Sequence, residues 1–217
     1  MRTVSISQLW GRAWDLFKVN WLLLVGLYVL SVIVSFLIPY IGGLITMILL
    51  SPALVRAGYL VARKGQSSFG EAFGDLGSLL KIFAYNLILG LILLLIPAIL
   101  IGVGYVLMMD SVHTKEKVVI LVVAGLIIFF ILNLFGWAGP YAILSGRAGI
   151  FSAIGQSFSL TAQNFGTVFL GLLSYIGLAI LGAILCGVGL LVVFPMSYVF
   201  WPLLYLALTG EEGASHS

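Results

Sequence analysis

Charge is the scarcest property of this sequence. Only 8% of its 217 residues are charged and 62% are hydrophobic, whereas about a quarter of the residues in an ordinary soluble domain are charged. A water-soluble fold of this size has too little interior to bury so much apolar surface. The composition therefore predicts that lipid is the solvent for most of the chain.

Cysteine and histidine are also nearly missing. The single cysteine, Cys186, excludes an intrachain disulfide, and two histidines, His113 and His216, are too few for a metal cluster. No G-x-S-x-G, H-E-x-x-H or P-loop motif is present, and the ten basic residues form no nucleic-acid-binding signature. We predict no enzyme activity, no cofactor, no metal and no nucleic-acid partner. We expect Cys186 to be a buried packing residue and His113 a solvated loop residue.

Long apolar runs, in contrast, occur six times. They cover residues 21–38, 42–62, 82–108, 118–145, 165–186 and 189–208. About 20 apolar residues are needed to cross the roughly 30 Å of hydrocarbon in a bilayer, and continuous runs differ from the alternating pattern of membrane strands. The sequence thus predicts an all-α, polytopic transmembrane helical bundle with six crossings.

The distribution of basic residues indicates the orientation of the chain. Six crossings place both termini on one side, and loops on the cytoplasmic side are enriched in Lys and Arg. Only Lys115 and Lys117 fall on the other side. The terminal side carries Arg2, Arg12, Lys18, Arg56, Arg63, Lys64, Lys81 and Arg147. We therefore predict a multi-pass membrane protein with both termini in the cytoplasm.

A segment of mixed polarity precedes the first, third and fifth crossings. The first two begin with a capping-box pattern, Ser5 with Gln8 and Ser68 with Glu71. Apolar residues then recur every three or four positions, which predicts three cytosolic amphipathic helices that lie in the membrane interface. Their apolar faces are Ile6, Leu9, Trp10, Ala13, Trp14 and Phe17; Phe69, Ala72, Phe73, Leu76, Leu79 and Leu80; and Phe151, Ile154, Phe158, Ala162 and Phe165.

The chain also repeats itself. Aligning Asn20 with Asn164 brings other residues into register, either directly or within one position. The pairs are Gly43 with Gly187, Pro52 with Pro195, and Gly65 with Gly210. This ordered series predicts parallel internal repeats, each with an amphipathic helix, an outgoing crossing and a returning crossing. The units are residues 5–65, 68–147 and 150–210 of a single membrane domain over 1–217, with a flexible tail at 211–217.

Each returning crossing contains a proline, namely Pro52, Pro140 or Pro195. Proline removes one backbone donor and tends to kink a helix. Two interpretations remain open: the kinks improve packing, or the three bent helices surround a vestibule that faces the cytosol. In the second case the returning helices must face one another.

Charge and depth select the candidate contact residues. All seven carboxylates lie in tails or loops, which disfavours ion-coupled transport. Arg56 lies about two turns inside the second crossing and either snorkels to the cytosolic surface or pairs with Asp15, Asp75 or an anionic headgroup. The residues predicted to contact anionic lipid or a protein partner are Arg56, Arg63, Lys64, Lys81, Arg12 and Lys18.

Uncharged residues suggest contacts inside the membrane. Asn86 and Asn133 lie within the third and fourth crossings, where an amide commonly bonds to another helix or contacts a ligand. Ala179, Ala183 and Gly187 recur every four residues in the fifth crossing. Such a face lets another helix come close, either within the chain, in a homo-oligomer or in a complex with another membrane protein.

Four stretches carry a resemblance to a known group. They are LWGRAWDLFKVNW, SPALVRAGYLVARKG followed by an acidic amphipathic segment, SFSLTAQNF and GVGLLVVFPMSYVFWPLLY. Together they resemble a family of poorly characterised bacterial six-pass integral membrane proteins, related to the membrane-anchor domain of some glycerophosphodiester phosphodiesterases. The resemblance implies six helices with cytosolic interfacial helices. It supplies no active-site residue, because catalysis in those enzymes belongs to a soluble domain without a counterpart in this sequence.

These observations favour a non-catalytic integral membrane component. Such a protein is a scaffold, a regulator or a lipid-interacting component whose amphipathic helices contact anionic headgroups of the inner leaflet. The alternative is a permease or channel for a lipidic or small uncharged solute, with a cavity among the kinked helices. An enzyme is the third option, since a membrane active site needs few residues. Solute flux separates the first two.

Overall fold

The computed structural model describes residues 5–38, 41–108, 114–184 and 187–211. The predictions for His113, Cys186 and the tail beyond Glu211 therefore lie outside the described residues. A π-helical turn, Thr46–Leu50, joins the second and third helices. The α-helices of the described part are α1 (Ile6–Leu37), α2 (Gly42–Ile45), α3 (Ser51–Lys64), α4 (Phe69–Phe73), α5 (Leu76–Met108), α6 (Thr114–Gly136), α7 (Gly139–Leu144), α8 (Ile150–Gln163), α9 (Phe165–Ile184) and α10 (Leu190–Thr209).

Six helical segments are long and apolar enough to cross a membrane. They are Ile6–Leu37, Gly42–Lys64, Leu76–Val106, Val119–Leu144, Phe165–Ile184 and Leu190–Thr209. Each falls on one of the six apolar runs of the sequence. In the described residues the prediction of an all-helical chain with six segments that are long and apolar enough to span a membrane is confirmed.

The N-terminal amphipathic segment is not a separate helix. α1 runs for 32 residues from Ile6 to Leu37 without a break, so this segment and the first crossing form one rod. The predicted capping box at its start is wrong: Ser5 is the N-cap, but its side chain makes no capping bond and its hydroxyl lies 3.0 Å from that of Ser7. Leu9 and Ala13 are buried, whereas Trp14 is exposed.

The second amphipathic segment is divided between two helices. Its capping box is confirmed, because the Ser68 hydroxyl accepts a bond from the Glu71 N–H (3.2 Å) and the Glu71 carboxylate accepts one from the Ser68 N–H (3.1 Å). However, α4 ends at Phe73. Asp75 then accepts a bond from the Ser78 N–H (3.1 Å) at the start of α5, so residues 76–80 belong to the crossing helix.

The third amphipathic segment is a helix of its own, α8, and the side that packs against the protein is not its large apolar face. Phe151 is 77% exposed and Phe165 46% exposed, whereas the buried side chains of α8 are Ala153, Ser157 and Thr161. Large apolar side chains dissolve in lipid as well as in a protein core, while small ones let two backbones approach closely. The small-residue face of α8 therefore packs against the protein.

The packed core lies where the returning crossings meet. In the second and sixth spanning segments 50% and 61% of the most apolar window is buried, compared with 17% to 22% in the other four. α3 and α10 contact each other directly: a Cβ atom at Gly58 would overlap the carbonyl oxygen of Tyr198. Two returning crossings are thus central, and the outgoing crossings are largely exposed.

The prolines of the three returning crossings lie in different settings. Pro52 begins α3 directly after the π-helical turn, and Pro140 begins α7 after a break at residues 137–138. Pro195 lies inside α10, which continues through it. A π-helical turn and a break between two helices both accommodate proline, because neither requires the backbone N–H that proline lacks.

Candidate functional site at the charged end

Apart from the residues at the start of α6, every charged residue in the described part of the protein belongs to one end of the helical bundle. This end, which we call the charged end, is formed by the starts of α1 and α5, by α4, and by the ends of α3, α7 and α10. Its basic residues outnumber its acidic ones by seven to four. They are Arg12, Lys18, Arg56, Arg63, Lys64, Lys81 and Arg147, with Asp15, Glu71, Asp75 and Glu211.

Three of the predicted contact residues, Lys18, Lys64 and Arg56, form ion pairs. Lys18 pairs with Asp15 (2.9 Å) and Lys64 with Glu71 (3.4 Å), and both pairs are well exposed. Such surface pairs contribute about 0 to 1 kcal/mol. Both members therefore stay available to other charged groups at little cost.

Arg56 makes the most buried of these pairs. Its guanidinium lies 3.3 Å from the Asp75 carboxylate and donates to the Asp75 carbonyl oxygen (3.1 Å), with only 16% of its side chain exposed. Of the partners left open by the sequence, this structure selects Asp75, while Asp15 pairs with Lys18. The pair joins the last two turns of α3 to the start of α5.

The other predicted basic residues are dispersed. Arg63 donates to the Tyr59 hydroxyl (3.3 Å) and its guanidinium lies 6.0 Å from the centre of that ring. Lys81 is exposed on the first turns of α5, and Arg12 is half-buried on α1. The six residues therefore surround the charged end and do not form a single cluster.

Asn20, which the sequence marked only as a repeat position, is the main polar junction of this end. Its amide donates to the carbonyl oxygens of Leu16 and Gly65 (both 2.9 Å) and accepts a bond from the Ser67 N–H (3.2 Å). Asn20 is buried. It thus fixes the loop after α3 to the middle of α1.

Aromatic rings fill the centre of the charged end. Tyr141 of α7 packs against Tyr59 of α3 and Tyr205 of α10, with ring centroids 6.4 and 5.9 Å apart. Trp137 packs against both Tyr141 and Trp201. The three returning crossings do face one another, but in the described residues these rings occupy the space where a vestibule was considered.

The predicted amide contacts inside the membrane are not formed within the described residues. Asn86 is half-buried and Asn133 exposed, and hydrogen bonds between helices at this level come from Tyr85, which donates to the Gly136 carbonyl (2.7 Å), and from Trp137. Asn133 instead lines an open groove of about 330 Å³ with Trp137 and Trp201. The groove offers one amide in an otherwise aromatic and aliphatic surface.

The small-residue face of the fifth crossing is only partly as predicted. Ala183 is exposed in this single chain. The close backbone approach within the chain is made by Gly182, which lies beside these residues and packs directly against Gly189 at the start of α10. Contact between two chains through Ala183 stays a prediction.

A cavity beside α8 was not among the predicted sites. It measures about 210 Å³, and its surface is mostly apolar, with polar side chains from α8, from α10 and from the turn after α7. The sequence offers two signals for it: Gln156 and Gln163 lie seven residues apart on one face of α8, and Arg147 follows Gly146, whose φ of 76° ends α7.

Two carboxylates of the charged end have a lowered pKa. Hydrogen bonds from the side chain and the backbone of Ser78 hold the pKa of Asp75 below its usual range, and Arg56 and Lys81 add to this effect. The backbone N–H of Ser68 and the ammonium of Lys64 do the same for Glu71. Both carboxylates therefore favour the fold most when they are ionised.

We expect the stability of this end to fall in acid. Because the pKa of folded Asp75 lies below its unfolded value, the stabilisation is present above the unfolded pKa of about 4 and is lost as the pH falls through the folded pKa. Asp75→Asn removes the titrating group, and the change is expected to stay below about 1 kcal/mol because Asp75 is half exposed. Thermal unfolding midpoints in neutral detergent between pH 7 and pH 3 measure it. An identical pH dependence in wild type and Asp75→Asn would contradict this assignment.

Comparisons of the chain with protein-family models, curated proteins and solved structures gave no match. The resemblance to bacterial six-pass membrane proteins therefore stays a prediction. In the described residues no group of three His, Cys, Asp or Glu side chains is placed to hold a metal ion. The geometry at the charged end is thus the basis for assigning a function.

Proposed function

We propose that this protein is a non-catalytic integral membrane component that holds anionic lipid headgroups at the inner leaflet of the bacterial cytoplasmic membrane. In this role it is a scaffold, a regulator or a lipid-organising protein, and its charged end and both termini face the cytoplasm. The observation that carries the proposal is the excess of basic side chains at one end of a lipid-exposed bundle. Each basic residue near an anionic surface contributes about 1 kcal/mol to its attraction.

Exposed aromatic side chains at the same end support a position in the interface. Trp14 and Trp21 on α1 and Phe69 on α4 are each about half exposed. The Lys18 ammonium lies 5.9 Å from the centre of the Trp14 ring. Tryptophan and lysine together are typical of the headgroup level of a bilayer, so this end suits contact with headgroups.

We also infer that the three units are parallel repeats. The returning crossings end at Gly65, Gly146 and Gly210, each with a positive φ (89°, 76° and 72°) that glycine adopts without strain. A central tyrosine precedes each glycine by five or six residues. Asn20 and Asn164 make the same bond, from the amide to the carbonyl oxygen four residues earlier (both 2.9 Å).

The packing of the leading segments favours a closed ring of these units. α4 packs against α3, and α8 packs against α5, α6 and α7, so each contacts the preceding unit. The start of α1 contacts the last unit: Trp10 stacks on Phe200 at 3.9 Å and donates to the Ser174 hydroxyl (2.8 Å). A ring of this kind holds α3, α7 and α10 in the middle and leaves α6 and the outgoing crossings to lipid.

A permease for a lipidic or small uncharged solute is the second candidate. The groove beside Asn133 favours it, because an amide in a lipid-facing aromatic groove can bond to a solute that crosses the bilayer. The packed centre weighs against it, because Tyr59, Tyr141 and Tyr205 occupy the space between the returning crossings. The scaffold is therefore the better supported function.

Lipid selectivity tests the proposed function. The protein is reconstituted in equal amounts of phosphatidylglycerol and phosphatidylcholine and extracted in neutral detergent, and the lipid retained by each chain is quantified. We expect phosphatidylglycerol to be enriched, and Arg63→Gln with Lys81→Gln to reduce the enrichment by roughly 1 kcal/mol per residue. The matched control, Arg63→Lys with Lys81→Arg, keeps both charges and the enrichment. Retention of the two lipids in the equal proportion of the reconstituted membrane would contradict the proposal.

A further inference from the structure

The cavity beside α8 is a candidate binding site because several polar side chains and one arginine line it. It lies between the turn after α7, the outer face of α8 and the last turns of α10, and it has a volume of about 210 Å³. Its polar lining consists of Arg147, Gln156, Ser159, Gln163, Tyr205 and Thr209, together with Ser157 at its base. No carboxylate lines the cavity within the described residues.

The rotation of α8 is fixed by hydrogen bonds on its buried side. Ser157 accepts a bond from the Ala138 N–H (3.0 Å) and donates to the Phe135 carbonyl (2.7 Å), while Thr161 accepts one from the Trp137 indole (3.0 Å). These bonds hold α8 against the junction of α6 and α7. The glutamine face of α8 is thereby held toward the cavity.

The charged group of the site is Arg147. Its Nε atom lies 3.1 Å from a carboxylate oxygen of Glu211, an ion-pair contact in which 48% of the arginine side chain stays exposed. This contact uses one edge of the guanidinium. The amide of Gln156 donates to the Arg147 carbonyl oxygen (3.4 Å), which ties the arginine backbone to α8.

The donors around this cavity match an oxyanion. A guanidinium offers parallel N–H groups that suit phosphate. The Gln156 and Gln163 amides each use one N–H, on the Arg147 carbonyl and on the Ser159 hydroxyl, so the second N–H of each amide and the Ser159 hydroxyl are further donors. We propose that the cavity binds the phosphate group of a small polar ester, either the headgroup of an anionic phospholipid or a free phosphate ester, with Arg147 as its charged contact. In the lipid case this deepens the proposed function and rests on it.

A substitution at Glu211 is expected to change phosphate binding in the direction opposite to a substitution at Arg147. Because its carboxylate competes with an incoming anion for Arg147, Glu211→Gln is expected to tighten phosphate binding, whereas Arg147→Gln is expected to weaken it about tenfold or more. Arg63→Gln is the matched control for the soluble probes, glycerol 3-phosphate and inorganic phosphate, since Arg63 is an exposed arginine of the same charged end but lies outside the cavity. A general effect of surface charge would make the two arginine variants behave alike.

Native mass spectrometry of the full chain in neutral detergent tests these expectations. The probes are short-chain phosphatidylglycerol, phosphatidylcholine, glycerol 3-phosphate and inorganic phosphate, titrated onto wild type and the three variants. Loss of one bound probe in Arg147→Gln, tighter binding in Glu211→Gln and unchanged binding of the two soluble probes in Arg63→Gln would support the site. If Arg147→Gln fails to fold, Glu211→Gln alone decides the result.

The probes also separate the two sources of phosphate. A site that takes phosphatidylglycerol but not glycerol 3-phosphate serves the lipid, and one that takes both with similar affinity serves a free ester; each result supports the shared chemistry. Binding of all probes unchanged in Arg147→Gln and Glu211→Gln would overturn the inference and leave the proposed function standing. If glycerol 3-phosphate binds in an Arg147-dependent way and phosphatidylglycerol is not preferred, the inference stands and the proposed function fails.

Discussion

Gly58→Ala is expected to destabilise the protein by about 3 kcal/mol or more. α3 and α10 meet at Gly58, where an added Cβ atom would overlap the carbonyl oxygen of Tyr198. A backbone atom cannot rotate away as a side chain does, so the two central helices must separate. That separation would open contacts around Phe200, which is fully buried. Thermal unfolding in neutral detergent, together with the fraction of monodisperse protein on size exclusion, measures the effect.

Gly177→Ala is the matched control for this experiment. Gly177 lies within α9, and a Cβ atom there meets nothing within 4 Å. Alanine has a higher helix propensity than glycine by about 1 kcal/mol, so the variant should unfold at the same temperature or slightly higher. Equal stability of Gly58→Ala and wild type would show that α3 and α10 do not pack in this manner.

Asn20→Ala is expected to loosen the junction between the first two units. It leaves the Gly65 carbonyl and the Ser67 N–H, both part-buried, without their partner. An unsatisfied buried backbone group costs about 1 to 3 kcal/mol; at the lower end of that range the two groups together give an expected loss of about 2 kcal/mol. The melting temperature and the rate of proteolysis in the loop at residues 65–68 report this change.

Asn164→Ala separates this junction from the bond within the helix. Asn164 makes only the bond to the Leu160 carbonyl, four residues earlier, in the described part of the protein, and it is half-buried. Its replacement should cost less than about 1 kcal/mol. If both asparagine variants lose the same stability, the bonds of Asn20 to Gly65 and Ser67 contribute nothing of their own.

The number and class of the crossing helices were predictable from the sequence because they depend on composition and length alone. Apolar runs of about 20 residues have few alternatives to a spanning helix. Helix boundaries near the charged end were less predictable. The second amphipathic segment ends early because the Asp75 side chain caps the start of α5, where it accepts a bond from the Ser78 N–H. The D-x-x-S spacing after Gly74 was the sequence signal for this helix start.

The packing faces were not predictable by the rule that large apolar side chains are buried. On α8 that rule selects Phe151, which is exposed, and misses Ser157 and Thr161, which are buried. In lipid, burial of a phenylalanine offers little gain over exposure, so close backbone approach and hydrogen bonds decide the face. A helical wheel therefore identifies the amphipathic segments but not their contacts.

Polar residues show the same limit of sequence reasoning. Depth in the apolar runs selected Asn86 and Asn133, but the buried amide that joins units is Asn20, at the edge of a run. Its partners are backbone groups of a loop that only the fold brings near. The cavity at Arg147 was missed for a similar reason, because its lining comes from three separate segments of the chain.

The central claim is that the middle of this protein is packed shut and that the protein acts on lipid at its surface. Efflux of a small uncharged tracer and transfer of a fluorescent lipid between leaflets, measured in liposomes with increasing protein content, test this claim most directly. We expect the rates to match those of protein-free liposomes, because Tyr59, Tyr141 and Tyr205 fill the space between the returning crossings. A rate that rises in proportion to the protein content would contradict it.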